Sequence, residues 1–371
     1  MKLTQEQQEI LNGSRGETMA KVMETLVRYG ELYDSDTMIP VTGKNNHLVT
    51  SFGLKALTPV YELMDQLIAE GAVSGTKFSA DPRPLDKNVP SSFLQNIIFN
   101  HFMYSKQDFY EDQLQKLGLM EKDAFTCTCY MDEVGNIPKK GDILSWSESS
   151  AVVYANSVLA ARCNRNSGII DLMGAICGFV PRFGLLTDEG RKAKWIVEVH
   201  TTKKPEAQLL GSAIGMKVME DVPYVVGLDK WLGTELDDAA CTYLKDFGAA
   251  TASNGAVGLY HIANLTPEAK ELGEYSDYKD KPTKANASVF ITRVLEENWS
   301  QVQQSDGYMK YIATRPRAER LGDHGLFGDE DAVDLAQAMQ ELDQYNGNVW
   351  THILSLKRED AARLGYDNAK A

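Results

Sequence analysis

The chain has 371 residues, of which 43% are hydrophobic and 24% are charged, and its formal net charge is −14. This composition is typical of a globular protein with one large domain or two to three subdomains, and the negative charge argues against nucleic acid or an anionic membrane surface as the main partner. No run of 18 apolar residues predicts a membrane span and the polar N-terminus lacks a signal-peptide core, so we expect a cytoplasmic protein.

Helical and strand-like segments alternate along the chain. The first 13 residues form a polar helix pattern, and residues 151–161 are apolar on nearly every side of a helix. Short runs rich in Val, Ile and Tyr predict strands at 194–202, 221–228 and 256–265. A helix over 237–253 should end at Asn254-Gly255. This alternation predicts an α/β fold with largely covered sheets.

The last hundred residues carry weaker signals. The polar, lysine-rich segment 274–288 predicts a loop and a soft subdomain boundary. Beyond it, amphipathic helices are expected at 330–345 and 357–366, on either side of a strand at 348–356. The five cysteines form no CxxC pair, and their odd number favours reduced thiols over a disulfide framework.

Residues 125–165 hold the densest group of polar residues. Ser149 or Ser150 can cap the apolar helix, whose buried N-terminal donors would favour an anion. Its far end carries a polar cluster that could bind a substrate: Arg162, Cys163, Asn164 and Arg165. The alternative is that these groups only cap and terminate a core helix. The number of polar residues around one small-residue helix favours a binding site.

Two further candidates lie outside this helix. Cys127 and Cys129 follow a candidate strand and should share one face, where nearby arginines would lower a thiol pKa. His47 and the loop 79–86 supply more polar groups, although a single histidine in a loop is commonly a surface residue.

Two arginines lie on either side of a proline near the C-terminus. Arg315 precedes Pro316 and is therefore biased toward an extended conformation. In an extended chain, residues two apart project to the same side, so Arg315 and Arg317 should offer two guanidinium groups to one place. They form either a solvated edge or an anion-binding pair.

Four segments resemble the large subunit, or large domain, of aconitase X, a branch of the aconitase superfamily. They are CTCY followed by GNIPKKGD, WSESSAVVYANSVLAARCNR, FVPRFGLLTDEGRK, and GAATASNGAVGLYHIANLTPEA. The resemblance extends from the N-terminus to Tyr366. It implies one aconitase X-type catalytic domain over residues 1–371, shortened at its C-terminal end and built of layered α/β/α subdomains.

The resemblance also implies chemistry. Members of this family dehydrate small hydroxy acids, of the cis-3-hydroxy-L-proline or mevalonate 5-phosphate class. They use an iron–sulfur cluster or a single iron, and a small subunit or domain supplies a catalytic serine. One iron-ligand position is retained in part at Cys163-Asn164, a second corresponds to 314–317, where arginines replace the ligands, and a third is missing. We therefore expect no metal and no cofactor in this chain.

Three hypotheses follow. The first is a metal-independent lyase or isomerase that acts by proton transfer on a small carboxylate or phosphorylated acid. Its acid–base candidates are Cys127, Cys129, Ser149, Ser150 and His47, and its substrate-binding candidates are Arg162, Asn164, Arg165, Arg315 and Arg317. The second is a non-catalytic homologue that binds a metabolite or a partner. The third is an iron-dependent hydroxy-acid dehydratase completed by a small subunit.

Overall fold

The computed structural model describes residues 1–85, 92–199, 201, 203–272 and 285–286. The chain divides into two units: Met1–Val199 with Glu206–Ala287, and His200–Pro205 with Ser288–Ala371. Every element below belongs to the first unit. Of the second, only residues 201 and 203–205 are among those described.

The helices of the described ranges are α1 (Gln5–Leu11), α2 (Glu17–Leu32), α3 (Thr58–Ala69), α4 (Phe93–Gln95), α5 (Gln107–Leu117), α6 (Ser149–Ser157), α7 (Gly168–Cys177), α8 (Ala207–Val218), α9 (Asp229–Leu232), α10 (Asp238–Gly255) and α11 (Pro267–Leu272). The strands are β1 (Met38–Pro40), β2 (Asn46–Leu48), β3 (Phe78–Ala80), β4 (Phe179–Pro181), β5 (Trp195–Glu198), β6 (Pro223–Val226), β7 (His261–Ile262) and β8 (Ala285–Asn286). A π-helix over Asn96–Met103 continues α4, and short 3₁₀ turns occupy Lys55–Leu57 and Gly184–Leu186.

The largest sheet is parallel, with strand order β7-β6-β5-β8. Buried residues such as Val197, Val225 and Ile262 occupy its centre, as expected for strands covered on both faces. Helices α8 and α10 pack closely because glycines lie at their contact. A Cβ atom on Gly211 would lie 2.4 Å from the carbonyl oxygen of Phe247.

A second, smaller parallel pair joins β2 to β3 and positions the site described below. Leu48 and Phe78 of these strands pack in one core with helices α2, α3, α5 and α7. Full burial of side chains of this size stabilises the fold by about 1.5–3 kcal/mol each. Isolated bridges join His47 to Trp146 and Ala80 to Phe125, which brings the segment 125–148 alongside this pair.

The predicted α/β class is correct, and the three predicted strands are present as shorter elements, β5, β6 and β7. Helix α10 begins after Asp237, whose side chain accepts a hydrogen bond from the Ala240 N–H. It ends at Gly255, as its sequence predicts. The predicted boundary at 274–288, apart from 285–286, and the elements predicted after residue 330 lie outside the described residues.

The helix predicted at 151–161 is wrong at both ends. Its N-cap is Glu148 rather than a serine, because the Glu148 carboxylate accepts the N–H of Ser150. The helix stops at Ser157, and Ala160 adopts a left-handed φ of 54° that turns the chain.

Candidate functional site

His47 lies at the centre of the candidate site. It pairs with Ser79 in the β2–β3 register, and its Nδ1 atom lies 2.9 Å from Ser79 Oγ. The Nδ2 group of Asn136 donates to the same oxygen over 3.4 Å. Trp146 packs edge-on against the imidazole ring. Because its strand is paired on both sides, His47 is fully buried, so the expectation of a surface loop histidine is wrong.

The other ring nitrogen of His47 faces two carboxylates. Nε2 lies 3.4 Å from Oδ1 of Asp81 and 3.7 Å from Oε2 of Glu148. Asp81 follows β3 directly, and Glu148 caps α6. One potential metal-ligand atom from each residue lies within 4.8 Å of the other two. All three of these polar atoms are buried, and none has a hydrogen-bond partner among the described residues.

The charges in this cluster influence one another. Burial alone would lower the pKa of the His47 imidazole, but the neighbouring Cys129, Asp81 and Glu148 outweigh it and raise that pKa well above its usual range. Burial raises the pKa of Asp81, and the charge of Glu148 adds to the effect, while His47 opposes it. The cluster is therefore a buried negative site that attracts positive charge to Nε2.

Glu148 is held by the start of its own helix. The hydroxyl and the backbone N–H of Ser150 both donate to its Oε1 atom, which leaves Oε2 directed toward His47. Ser150 thus positions a carboxylate. Ser149 is half-buried at the first position of α6.

Cys127 and Cys129 do not share a face. Cys129 is buried beside His47, whereas Cys127 is exposed, because the chain turns between Thr128 and Met131 instead of continuing as a strand. Partial shielding of the Cys127 thiol from solvent raises its pKa, and the charges of Glu148 and Asp81 raise it further. The expectation that arginines would lower a thiol pKa here is wrong, because acids are its neighbours.

The polar cluster at the far end of α6 splits in two. Arg162 is half-buried; it donates to the carbonyl oxygen of Leu186 and pairs with the exposed Asp188. The Asn164 side chain accepts a hydrogen bond from the N–H of Leu185 and donates one to the carbonyl oxygen of Phe183. Both polar atoms of its amide group are therefore bonded to backbone. These contacts are the structural roles that the alternative interpretation of this cluster describes.

Arg165 has a different environment. It is exposed and lines a cavity of about 440 Å³ together with Asn164, Tyr29, Lys194 and other residues. It makes no hydrogen bond or ion pair with any described residue. Lys194, in the same wall, pairs with Asp221. Arg165 is therefore the described cavity residue with an unpaired positive charge.

Sequence reasoning missed Asp81, Ser79 and Asn136 as partners of His47. The available signal was that Ser79 and Asp81 lie at and just after a buried strand, in the loop 79–86 already noted as polar. Asn136 lies in the segment GNIPKKGD and carried no separate signal.

The described cysteines do not fit an iron–sulfur cluster. Cys163 is buried in an apolar cluster, where its thiol donates to backbone carbonyl oxygens and burial raises its pKa well above the usual range. Cys127 and Cys129 face different environments. Within the described part of the chain, the side chains that fit a single metal ion are instead His47, Asp81 and Glu148. Arg315 and Arg317 lie outside the described residues, so their role stays a prediction.

Comparison with known proteins gave the following relatives. The family model described as the aconitase X first domain matches residues 1–189. A phosphomevalonate dehydratase large subunit from Thermococcus kodakarensis is 33% identical over 310 residues, which cover 81% of this chain and 72% of that protein. The corresponding protein of Methanocaldococcus jannaschii is 31% identical, over 76% of this chain and 68% of its own.

A cis-3-hydroxy-L-proline dehydratase from Hypocrea jecorina is 36% identical, but over only 40% of this chain and 24% of its own length. The crystal structure of Thermococcus kodakaraensis aconitase X in its holo-form matches with a TM-score of 0.62 and 29% identity, and covers 85% of this chain and 79% of that one. These matches cover at most 85% of the chain, which is less than the resemblance from the N-terminus to Tyr366 implied.

A second family model, described as MobL relaxases, matches residues 244–371. That segment includes Arg315 and Arg317, at the position that the family resemblance assigns to an iron-ligand motif. None of the helices in the described ranges is long and apolar enough to cross a membrane.

Proposed function

Because the chain belongs to the aconitase X family, we propose that it is a hydro-lyase of the large-subunit type, which removes water from a small hydroxy acid. Its relatives are dehydratases, which are hydro-lyases, so the expected enzyme status and lyase type are confirmed. Of the three hypotheses, the iron-dependent hydroxy-acid dehydratase completed by a small subunit agrees better with these relatives than the metal-independent lyase or isomerase does.

The buried cluster of His47, Asp81 and Glu148 is the observation that carries this proposal. In a dehydration, a base takes a C–H proton, the freed electron pair forms the double bond, and the C–O bond breaks. The departing hydroxide needs a positive centre at its oxygen. Two carboxylates that direct buried oxygens toward one imidazole nitrogen can hold such a centre. Bound iron, the group implied by the family, would supply it as a Lewis acid.

Mevalonate 5-phosphate is the substrate that we favour, with cis-3-hydroxy-L-proline as the alternative. The phosphomevalonate dehydratase relatives align over most of their length, whereas the hydroxyproline dehydratase aligns over a quarter. A phosphorylated acid also needs a cationic contact, and the unpaired guanidinium of Arg165 in the 440 Å³ cavity can provide one.

We also propose that a small subunit completes the site. The relatives with the longest matches are named as large subunits. The acid–base group that takes the C–H proton would then come from that partner, as the family resemblance implies.

The test is turnover by the purified full chain, prepared without oxygen, supplied with Fe²⁺ and mixed with the small subunit of a phosphomevalonate dehydratase. Formation of the unsaturated product is followed by NMR, separately for mevalonate 5-phosphate and cis-3-hydroxy-L-proline. His47→Asn should lower the rate by about 10²-fold or more. His261→Asn, which alters another buried histidine that contacts a backbone carbonyl, is the matched control and should keep most of the rate.

A chain that binds the small subunit but dehydrates neither acid would contradict this function. The hypothesis of a non-catalytic binding homologue would then be favoured.

A further inference from the structure

Three atoms of the His47 cluster share an unusual property. Nε2 of His47, Oδ1 of Asp81 and Oε2 of Glu148 are all buried, and none has a hydrogen-bond partner among the described residues. A buried polar atom without a partner destabilises the fold, and does so more strongly when it is charged. Three such atoms directed at one another therefore indicate a missing positive ligand.

A proton on Nε2 does not satisfy this arrangement. A single N–H group can point at only one of the two carboxylates, and the distances of 3.4 Å and 3.7 Å exceed the usual hydrogen-bond range. An octahedral cation with bonds of about 2.1 Å places three ligand atoms on one of its faces about 3.0 Å apart. Small side-chain movements would bring all three atoms to that spacing.

We propose that His47, Asp81 and Glu148 bind one divalent first-row metal ion of the Fe²⁺ or Mn²⁺ class. One imidazole nitrogen and two carboxylate oxygens are ligands of the kind that these ions accept. The site needs no thiolate, so it differs from the cysteine positions that the family resemblance implies for iron. Its use in catalysis depends on the proposed hydro-lyase function, whereas ion binding itself does not.

Each ligand also has an outer partner that fixes its direction. Ser79 Oγ lies 2.9 Å from Nδ1 of His47, which leaves Nε2 for the ion, and Asn136 donates to that same serine. Ser150 occupies one oxygen of Glu148 and leaves the other free. Supporting contacts of this kind orient the ligands in metal sites.

Ion binding can be measured without substrate. The purified full chain is treated with a chelator, dialysed, and titrated with Mn²⁺ by calorimetry and by electron paramagnetic resonance. We expect one ion per chain. Asp81→Asn and Glu148→Gln should each weaken binding by about 100-fold or more, and Ser79→Ala by about 10-fold. Glu111→Gln removes a carboxylate that pairs with Arg83 outside the cluster, and it should leave binding unchanged.

A second measurement uses only the native chain, so it does not depend on whether the variants fold. Pulsed electron paramagnetic resonance of the Mn²⁺-loaded native chain should show coupling to one imidazole nitrogen. A native chain that binds no ion, or that binds one without nitrogen coupling and equally well in both carboxylate variants, would overturn the site. The cluster would then hold a proton on His47.

The outcomes separate this inference from the proposed function. An ion bound with nitrogen coupling but without dehydration of either acid would support the site and contradict the function. Dehydration that continues at full rate in the chelated, ion-free chain would overturn the catalytic use of this site and leave the hydro-lyase function intact.

Discussion

His47 and Ser79 occupy paired positions on two neighbouring parallel strands, and Nδ1 of the imidazole lies 2.9 Å from the serine hydroxyl oxygen. This contact fixes the ring so that Nε2 faces Asp81 and Glu148. The register of β2 and β3 therefore determines the direction of the one described histidine that lies between two carboxylates.

Ser79→Ala should reduce the rate of dehydration by about 10–100-fold, because the His47 ring loses the hydrogen bond that orients Nε2 toward the carboxylates. The lost hydrogen bond should lower the free energy of unfolding by only about 1 kcal/mol. Steady-state kinetics and urea unfolding measure the two effects. Ser74→Ala is the control, since that hydroxyl donates to a backbone carbonyl outside the cluster. Equal losses of activity in both variants would contradict a positioning role.

Variants of Glu148 should separate its helix-capping role from its role in the site. Glu148→Gln keeps an oxygen that can accept the Ser150 N–H, so the free energy of unfolding should change little. It removes the negative charge, and turnover should fall sharply. Glu148→Ala loses both roles and should lower the free energy of unfolding by a further ~0.5–2 kcal/mol. Thermal unfolding measures the capping role, and turnover measures the role in the site. A Glu148→Gln protein with full activity would disprove the role in the site.

Arg165→Ala should raise the KM for mevalonate 5-phosphate by about 10–100-fold, as expected for loss of a charge-assisted hydrogen bond. Arg162→Ala is the matched control, because that half-buried arginine pairs with the highly exposed Asp188. Surface pairs contribute about 0–1 kcal/mol, so its effect should be small. A larger effect from Arg162 than from Arg165 would place the substrate anion elsewhere.

Gly258→Ala should also raise the KM for mevalonate 5-phosphate, but less than Arg165→Ala does. A Cβ atom there would lie 3.1 Å from Cδ of Arg165 and 2.8 Å from Cδ1 of Leu185, so these side chains must move. The variant should raise KM more than it lowers kcat. An unchanged KM would show that the position of the Arg165 side chain does not affect substrate binding.

Stability should depend on the protonation of Asp171. Burial raises the pKa of this carboxyl to about 8, although Asn166 and Ser145 donate to it. An acid with a raised pKa in the folded state stays protonated there while the unfolded chain ionises. The folded protein thus binds more protons between about pH 4 and pH 8, and its stability falls as the pH rises through that window.

Asp171→Asn should remove this contribution, because the amide oxygen can accept both hydrogen bonds and does not ionise. The free energy of unfolding of the native chain, relative to the variant, should fall by up to about 1.4 kcal/mol per pH unit. Urea unfolding of both proteins at pH 5, 6, 7 and 8 measures the slope. Parallel pH dependences in the two proteins would show that Asp171 is ionised throughout.

Features that depend on residues adjacent in the chain could be read from the sequence. The α/β alternation follows from local runs of Val, Ile and Tyr, and the start of α10 follows from the capping side chain of Asp237. The family resemblance also came from continuous segments such as WSESSAVVYANS. His47 was a candidate only as one more polar group, together with the loop 79–86.

The tertiary structure alone decided how the candidates combine. Parallel pairing and a helix start bring His47, Asp81 and Glu148 together from three separate segments, which no local pattern records. The same packing pairs the half-buried Arg162 with Asp188 and leaves the exposed Arg165 at the cavity wall without a partner among the described residues, although both arginines follow α6 closely. A turn buries Cys129 and exposes Cys127, where an extended chain would have put them on one face. The reason is that long-range strand pairing and turns, which set the direction of each side chain, depend on residues far apart in the sequence.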